Sequence, residues 1–435
     1  WIPAFAGMTE KSSRLPWVEL ARGLNSRGNS MVLRNPNFSK LKSRYLFAEI
    51  GRRRREFAAA HPEPRVISLG IGDTTEPLVP RIVEGVRQAS TEMGTREGYR
   101  GYGDEQGLTA LRETVAKTLY GDLITPDEVF ISDGCKCDIG RLQILFGPDA
   151  RLTVQDPSYP AYVDSAVITG MTGPLIEERN QFAEVTYLPC DDQNDFFPNL
   201  SAIPERAIVY FCSPNNPTGA VATHEQLNHL VSAVHSVKGI LVFDAAYSGF
   251  INDQNLPRSI YEVKGAREVA IETSSFSKPA GFTGVRLGWT VVPKSLRFED
   301  GSLVADDFNR IVTTLFNGAS VFAQRAGLVA LTPGGMAETR SQVHYYMTNA
   351  RIIKSACEAS GFKVYGGENA PYLWVRIPGK SSWEAFDELL QKAHVVATPG
   401  SGFGPAGEGF LRFSAFAHRE DVEEAVERMK KMFRP

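Results

Sequence analysis

Short apolar segments alternate with helical stretches from about residue 76 to residue 317, and this alternation constrains the fold more than any other feature of the chain. The apolar segments are 129–132, 151–155, 207–212, 240–243, 269–274 and 288–292. Short continuous apolar runs are typical of strands that are buried on both faces. The alternation therefore predicts an α/β fold with a mainly parallel sheet that helices cover on both sides.

The pattern of the chain changes near residue 320. A long helical region, 321–331 and 337–361, precedes apolar segments near 364, at 373–377 and at 409–414. Helices followed by strands in this order predict a smaller α+β domain. We therefore expect a large domain over 76–319 and a small C-terminal domain over 320–435.

The first 30 residues show neither helical nor strand periodicity. We expect them to be a disordered, non-native extension that precedes a natural start at Met31. A competing interpretation is an organellar transit peptide, because the segment is rich in serine and arginine and poor in acidic residues. A cytoplasmic location is the expectation unless that second interpretation holds.

Charge and cysteine content exclude several classes of protein. The formal net charge of -3 argues against a surface that binds nucleic acid, and no apolar run approaches the roughly 20 residues that cross a bilayer. Five scattered cysteines predict free thiols in a reducing compartment. The pair Cys135 and Cys137 has no second ligand pair at a suitable spacing, so no metal site is expected.

A dense basic run, Arg52–Arg55, lies within a helix predicted over 40–60. We interpret it as a solvated helix face or a subunit contact rather than an anion site, because charge runs usually face solvent.

Polar side chains follow three of the predicted strands. Asn216 lies in a turn-rich run after 207–212, Asp244 and Tyr247 come directly after 240–243, and 269–273 leads into a serine cluster that ends at Lys278. The carboxyl ends of parallel strands form one edge of the sheet, so these groups are expected to meet at one small ligand.

The serine cluster itself points to a cofactor. A lysine amine can bind a carbonyl group, and the neighbouring hydroxyls with Arg286, eight residues further on, can bind a phosphate. The combination suggests pyridoxal 5'-phosphate, although a serine and lysine cluster on its own is more often a solvated loop.

Five further segments narrow the interpretation. They are Tyr45–Ile50, Gly70–Leu78, Tyr99–Gly107, Ser132–Ile139 and Gln155–Pro160. With the lysine cluster, they resemble the LL-diaminopimelate aminotransferases, which are fold-type I, class I/II enzymes that depend on pyridoxal phosphate. The resemblance extends from about Met31 to the C-terminus.

The resemblance implies a homodimer with shared active sites. The reaction implied is the reversible transfer of an amino group between LL-2,6-diaminopimelate and 2-oxoglutarate, which gives tetrahydrodipicolinate and glutamate in lysine biosynthesis. It also implies a large domain built on a mainly parallel seven-stranded sheet. Residues 31–75 are implied to form an N-terminal arm that joins the small domain.

The resemblance assigns a cofactor role to a first group of residues. Lys278 is implied to bind the cofactor covalently and then to carry a proton, while Asp244 lies at the ring nitrogen. Tyr247 and Asn216 are placed at the phenolic oxygen and Tyr159 against the ring face. The phosphate ligands implied are Ser275, Ser277, Arg286, the backbone N–H groups of Cys135 and Lys136 at the start of a helix predicted over 136–146, and Tyr102 of the neighbouring subunit. Without the resemblance, Asp244 would be interpreted as a helix N-cap.

A second group of residues is implied to bind the substrate. Arg412, alone in an apolar segment, is placed on the α-carboxylate; a structural ion pair is the alternative. Tyr159 and Asn216 are implied to contact the substrate as well as the cofactor. The residues implied at the distal end of the substrate are Tyr45, Gly72, Glu105, Lys136 and Asn317, of which Glu105 could instead cap a helix.

Three other functions remain open from the sequence. An aspartate, alanine or aromatic aminotransferase and a β-lyase would use the same lysine and aspartate. A binding or regulatory protein on a degenerate aminotransferase fold would not need to keep Lys278, Asp244, Tyr247 and Arg286 together.

Overall fold

The structure is a computed structural model that describes residues 32–41 and 45–433. The expectations for residues 1–30 and for Met31 lie outside the described residues. Described residues from Asn37 onward belong to one compact unit. Residues 32–36 belong to another and contain no regular element before the 3-10 turn Pro36–Ser39.

The described residues form the following strands and helices. The strands are β1 (Ile67–Ser68), β2 (Val129–Ser132), β3 (Arg151–Asp156), β4 (Leu175–Ile176), β5 (Gln181–Phe182), β6 (Val185–Pro189), β7 (Ala207–Cys212), β8 (Ile240–Asp244), β9 (Ala270–Ser275), β10 (Gly288–Val291), β11 (Val364–Gly366), β12 (Tyr372–Arg376), β13 (Val395–Val396), β14 (Thr398–Pro399) and β15 (Phe410–Ser414). The α-helices are α1 (Leu46–Ala60), α2 (Pro80–Met93), α3 (Thr109–Val115), α4 (Cys135–Phe146), α5 (Ala161–Thr169), α6 (His224–Ser236), α7 (Val304–Leu315), α8 (Val321–Ala330), α9 (Pro333–Ala359), α10 (Ser382–Ala393) and α11 (Arg419–Phe433).

A seven-stranded sheet forms the centre of the fold, in the order β2-β10-β9-β8-β7-β3-β6. The strands β9, β8, β7, β3 and β6 are parallel to one another, and β10 is antiparallel to both β2 and β9. The predicted α/β class with a mainly parallel seven-stranded sheet is confirmed.

Both faces of this sheet are covered, as the continuous apolar strands require. Every residue of β7 is buried. Val209 and Phe211 belong to one apolar cluster, whereas Ile208 and Tyr210 belong to another, because successive side chains of a strand point to opposite faces. The helices on the two faces therefore pack on alternate residues of the same strands.

A second sheet, antiparallel and in the order β11-β12-β15-β14, lies within the C-terminal part of the chain. Its apolar side chains form a third cluster with residues of α1, α9, α10 and α11. The proposed boundaries of the two domains, 76–319 and 320–435, and of the arm at 31–75 stay predictions.

The segment that precedes Gly70 pairs with the C-terminal part of the chain. Strand β1 is parallel to β13, and the backbone N–H of Leu69 donates to the carbonyl oxygen of Val396 at 2.8 Å. The N–H of Ser414 then donates to the carbonyl oxygen of Leu69 at 2.6 Å. These bonds position Gly70 and Gly72 near the carboxyl ends of the strands of the large sheet.

The first long helix begins later than predicted. The prediction gave 40–60, whereas α1 begins at Leu46 after the extended residue Tyr45. Its basic run forms ion pairs within the chain: Arg52 with Glu49 and Glu56, and Arg53 with Glu49 and with Asp387 of α10 at 2.8 Å. These pairs favour a solvated, ion-paired helix face.

None of the helices within 32–41 and 45–433 is both long and apolar enough to cross a membrane. Over the same residues no group of three or more histidine, cysteine or acidic side chains could hold a metal ion. All five cysteines are free thiols.

Candidate active site

A cavity of about 380 Å³ opens at the carboxyl ends of β7, β8 and β9. The strand register aligns Cys212 with Asp244, and Asp244 with Thr273, so the residues that follow each strand emerge side by side. Most of the predicted site residues line this one cavity: Gly72, Cys135, Lys136, Tyr159, Asn216, Asp244, Tyr247, Ser275, Ser277, Lys278, Arg286 and Arg412.

The amine of Lys278 lies in the middle of this set. It donates a hydrogen bond to the carbonyl oxygen of Gly72. Burial lowers the pKa of Lys278 to about 8; the charge of Asp73 opposes this change, and the charges of Arg412 and Arg286 add to it. A substantial fraction of the amine is therefore neutral near pH 8 and able to act as a nucleophile or a base.

Asp244 is a buried carboxylate at the end of β8. Its Oδ2 accepts a hydrogen bond from the hydroxyl of Tyr162 at 2.6 Å, and its Oδ1 accepts from the N–H of Ala246 at 3.0 Å. Burial raises the pKa of Asp244, and the two donors counteract that effect. The bond to Ala246 closes a turn ahead of the 3-10 helix Ser248–Phe250, so the alternative of an α-helix N-cap is wrong.

Beside Asp244, two tyrosine hydroxyls meet. Those of Tyr247 and Tyr372 lie 2.7 Å apart, and both side chains line the cavity. Tyr372 comes from β12 of the smaller sheet. The Cβ atom of a residue larger than glycine at position 72 would lie 2.3 Å from the Tyr372 hydroxyl. Gly72 therefore lets this tyrosine enter the site.

Hydroxyl, guanidinium and backbone N–H donors gather at another side of the cavity. The hydroxyl of Ser275 donates to that of Ser277 at 2.9 Å, and Nη1 of Arg286 donates to Ser277 at 3.3 Å. Helix α4 begins at Cys135, one residue earlier than predicted, and its first turn leaves N–H groups without partners inside the helix. Together these groups form a site for a small dianion.

Backbone strain marks the same anion site. Arg286 has a φ of 66°, which is uncommon for a residue other than glycine. Gly134 has a φ of 124°, and a Cβ atom there would lie 2.3 Å from Nη2 of Arg286. Strained residues of this kind are concentrated at functional sites.

Arg412 presents a buried guanidinium that has no ion-pair partner among the described residues. It is 1% exposed. Its Nη1 donates to Oδ1 of Asn216 at 2.6 Å and its Nη2 to the carbonyl oxygen of Gly70 at 2.5 Å, whereas Nε has no partner in the described chain. The rings of Tyr372 and Phe403 lie 4.3 Å and 4.8 Å from the guanidinium carbon. With no carboxylate of residues 32–41 and 45–433 paired with it, the alternative of a structural ion pair is wrong.

Four predicted site residues do not line the cavity of the single chain. Tyr45 lies close to it, because the amine of Lys136 is 4.9 Å from the centre of the Tyr45 ring. Tyr102 is 90% exposed. Glu105 and Asn317 lie on neighbouring backbone segments, since a Cβ atom on Gly318 would be 3.3 Å from the carbonyl oxygen of Asp104.

The alternative role of Glu105 as a helix cap is also wrong. Helix α3 begins after Leu108, and no side chain forms a capping hydrogen bond there.

Some residues of the cavity wall were not anticipated from the sequence. They are Phe47, Ile71, Asp73, Ala246, Thr283 and Tyr372. Asp73 directly follows the predicted Gly72, so the same motif contained the signal for it. Tyr372 could be found only by knowing that β12 approaches the large sheet.

Comparison with known proteins decides the family. Residues 64–429 match the family described as aminotransferase class I and II. The chain belongs to the class I and II aminotransferases. This aminotransferase is 54% identical over 400 residues to the LL-diaminopimelate aminotransferase of Protochlamydia amoebophila (strain UWE25), with 92% of this chain and 97% of the relative covered.

Two plant and algal relatives extend the comparison. The chloroplastic LL-diaminopimelate aminotransferase of Arabidopsis thaliana is 53% identical over 404 residues, which cover 93% of this chain and 87% of the relative. A solved structure of L,L-diaminopimelate aminotransferase from Chlamydomonas reinhardtii matches with a TM-score of 0.90 and 52% identity, covering 94% of this chain and 100% of the other.

Members of this aminotransferase family work with pyridoxal 5'-phosphate, and the residues present fit that cofactor. A lysine amine, a buried carboxylate and a set of phosphate donors line one cavity. The space above Gly134, which a Cβ atom would fill, is bounded by Arg286. Each chemical group of the cofactor therefore has a matching group in the wall.

Proposed function

We propose that this chain is an LL-diaminopimelate aminotransferase, which transfers an amino group reversibly between LL-2,6-diaminopimelate and 2-oxoglutarate in lysine biosynthesis. The observation that carries the reaction type is that Lys278, Asp244 and Arg412 face one cavity, and that Arg412 has no ion-pair partner in the part of the chain that the structure describes. The similarity of more than 50% over nine-tenths of the chain to enzymes of that name supports the substrate.

The cofactor is proposed to lie between Lys278, Asp244 and the dianion site. When bound, pyridoxal phosphate holds the substrate nitrogen and accepts the electrons released at the α-carbon. Lys278 would hold the cofactor's carbonyl carbon and then move the proton, Asp244 would face the ring nitrogen, and Tyr159 would pack on the ring. The proposed ligands of the phenolic oxygen and the phosphate are Asn216, Tyr247, Ser275, Ser277, Arg286 and the backbone of Cys135 and Lys136.

Arg412 is proposed to bind the substrate's α-carboxylate. Its Nη atoms are held by Asn216 and Gly70, so the guanidinium is already oriented before a ligand arrives. Its unpartnered Nε supports this role, since a buried cation is stabilised by an anion that forms charge-assisted hydrogen bonds with it.

The distal end of the substrate carries a second ammonium and a second carboxylate. Tyr45, Gly72 and Lys136, at or near the cavity, are proposed to contact it. Glu105 and Asn317, which lie together outside the cavity of one chain, are proposed to reach the cavity of a partner subunit, and exposed Tyr102 is proposed to reach the partner's phosphate. The active unit would then be a homodimer.

An absorbance titration of the purified protein loaded with pyridoxal phosphate tests the proposal. The visible band of the bound cofactor should convert to that of pyridoxamine phosphate with LL-diaminopimelate and with glutamate, in the absence of a keto acid. Aspartate and alanine should leave it unchanged. Conversion by aspartate or alanine but not by LL-diaminopimelate would refute the substrate, and pyruvate release from a cysteine-type substrate would indicate a β-lyase.

The place of the protein in the cell follows from the same proposal. We propose a cytoplasmic location, which the five free thiols support. A plastid is the alternative, since the Arabidopsis relative is named as chloroplastic. Imaging of the full chain with a C-terminal fluorescent tag in its native cell would distinguish the two.

A further inference from the structure

A tyrosine that does not line the cavity donates a hydrogen bond to the carboxylate of Asp244. Tyr162, on α5, is fully buried, and its hydroxyl donates to Oδ2 of Asp244 at 2.6 Å. The other carboxylate oxygen accepts the N–H of Ala246. The thiol of Cys135 also interacts with this carboxylate, but a thiol is a weak donor. The Tyr162 hydroxyl is thus the one strong side-chain donor to this carboxylate among the described residues.

Packing fixes the direction of this hydroxyl. The ring of Tyr162 is stacked on that of Tyr210, with centroids 5.0 Å apart, and the ring of Tyr159 meets it edge-on at 5.7 Å. Nε2 of Gln143 donates to the backbone carbonyl oxygen of Tyr162 at 3.1 Å. These contacts hold the ring on two sides and at its backbone, so they keep the hydroxyl directed at Asp244.

We propose that Tyr162 is a positioning residue for the cofactor: its hydroxyl holds the Asp244 carboxylate ionised and aimed at the ring nitrogen. This inference rests on the role proposed for Asp244. A buried carboxylate that loses a donor binds its own proton more tightly. Neutral Asp244 would no longer stabilise positive charge on the cofactor's ring, and the backbone N–H of Ala246 alone would not fix the orientation of the carboxyl group.

The chain offers a matched pair of variants to test this. Y162F removes the hydroxyl that reaches Asp244. Y210F removes a hydroxyl from the stacked neighbour, which is also fully buried but forms no hydrogen bond with Asp244. Both changes keep the ring, so they make similar changes to packing and differ in the bond to Asp244.

The primary measurement is the dissociation constant of pyridoxal phosphate from the apoprotein, by equilibrium dialysis, with the melting temperature of the apoprotein recorded alongside. Y162F should weaken cofactor binding about 10-fold to 100-fold, as expected for one hydrogen bond to a charged group. Y210F should bind within about twofold of the parent. The apoproteins of both variants should melt within a few degrees of each other.

A double-mutant cycle with D244N isolates the interaction. Once position 244 carries no charge, Y162F should have little further effect on cofactor affinity. In the glutamate half-reaction, Y162F should lower kcat while KM stays close to that of the parent, because the change is remote from the substrate.

The outcomes separate a positioning role from a structural one. Equal cofactor affinity in Y162F and Y210F would overturn the proposal, as would an undiminished effect of Y162F in the D244N background. An apoprotein of Y162F that fails to fold would assign Tyr162 to the stability of the fold and would also overturn it. The cofactor measurement uses no amino acid, so it remains readable even if LL-diaminopimelate proves not to be the substrate.

Discussion

Replacing Arg412 by glutamine should slow the reaction with amino acids by orders of magnitude and yet leave the folded protein almost as stable as before. The guanidinium is 1% exposed and carries a charge with no ion-pair partner in the described chain. Burying such a charge costs free energy in the ligand-free protein. R412Q removes this cost, which should offset the loss of the hydrogen bonds to Asn216 and Gly70. The glutamine amide can replace part of those bonds.

The effect on activity follows from the donors that the substrate would lose. A carboxylate that meets this guanidinium would gain two charge-assisted hydrogen bonds, each contributing about 1.5–3 kcal/mol. Their sum is about 3–6 kcal/mol. At about 1.4 kcal/mol for each factor of ten, kcat/KM should fall about 10²-fold to 10⁴-fold.

Single-turnover kinetics with two amines would measure this. One is glutamate; the other is 1,5-diaminopentane, which lacks an α-carboxylate and should react slowly but equally with the parent and R412Q. R412K keeps the charge but not the planar guanidinium. Its rate with glutamate should therefore lie between those of the parent and R412Q. As a control, R53Q removes a partly exposed partner of Asp387 and should react like the parent.

Two results would refute the reasoning. The first is an equal loss of rate with both amines, which would mean that Arg412 acts on the cofactor or on Lys278 rather than on a carboxylate. The second is a large drop in the melting temperature of apo R412Q, which would mean that the guanidinium is chiefly a structural element.

Three further predictions concern other groups. Because the pKa of Lys278 is lowered to about 8, the rate at which the apoprotein adds pyridoxal phosphate covalently should rise with pH and level off above about pH 8; a rise that continues to pH 10 would contradict the lowered value. G134A should weaken cofactor binding at least about tenfold and lower the melting temperature, because its Cβ atom would meet Arg286. G284A places a Cβ atom in open space and should change neither property. Equal cofactor affinities of the two variants would show that the backbone at position 134 moves aside at no cost in free energy. Burial raises the pKa of Asp156 to about 7, whereas the same carboxyl group in the unfolded chain loses its proton near pH 4. Between these pH values the folded state binds the extra proton. The contribution of Asp156 to the free energy of unfolding therefore falls as the pH rises from about 4 to 7. D156N should therefore raise the melting temperature at pH 8 relative to the parent and change it little at pH 5, by scanning calorimetry; an equal shift at both pH values would contradict this.

The large sheet could be predicted because its strands are buried on both faces. A strand such as β7 has no polar side to obscure its pattern, so its bounds matched the apolar run. The two-residue pair β1 and β13 could not be predicted, because so short a pairing depends on tertiary contacts rather than on its own sequence. The start of α1 was misplaced for a similar reason: its first buried residue, Leu46, packs on Gly402, which is far away in the chain.

Some residues of the candidate site could likewise be predicted from the sequence, and others could not. Asn216, Asp244 and Lys278 could be found because each follows a recognisable strand, and parallel strands bring their ends together. Tyr372 and Tyr162 could not. One arrives on a strand of the smaller sheet, and the other lies in an apolar helix where a tyrosine is normally interpreted as packing.

The pairing of residues 67–69 with the C-terminal part of the chain has a consequence for the order of folding during synthesis. Leu69 is bonded on one side to Val396 and on the other to Ser414. Ser414 is synthesised long after Gly72. The segment that carries Gly72 to Lys278, although made early, must therefore wait for β15 before it can close its side of the cavity. A ribosome stalled shortly before position 414 should hold a nascent chain with a formed large sheet and no competent site, so catalytic activity would report that synthesis has passed β15.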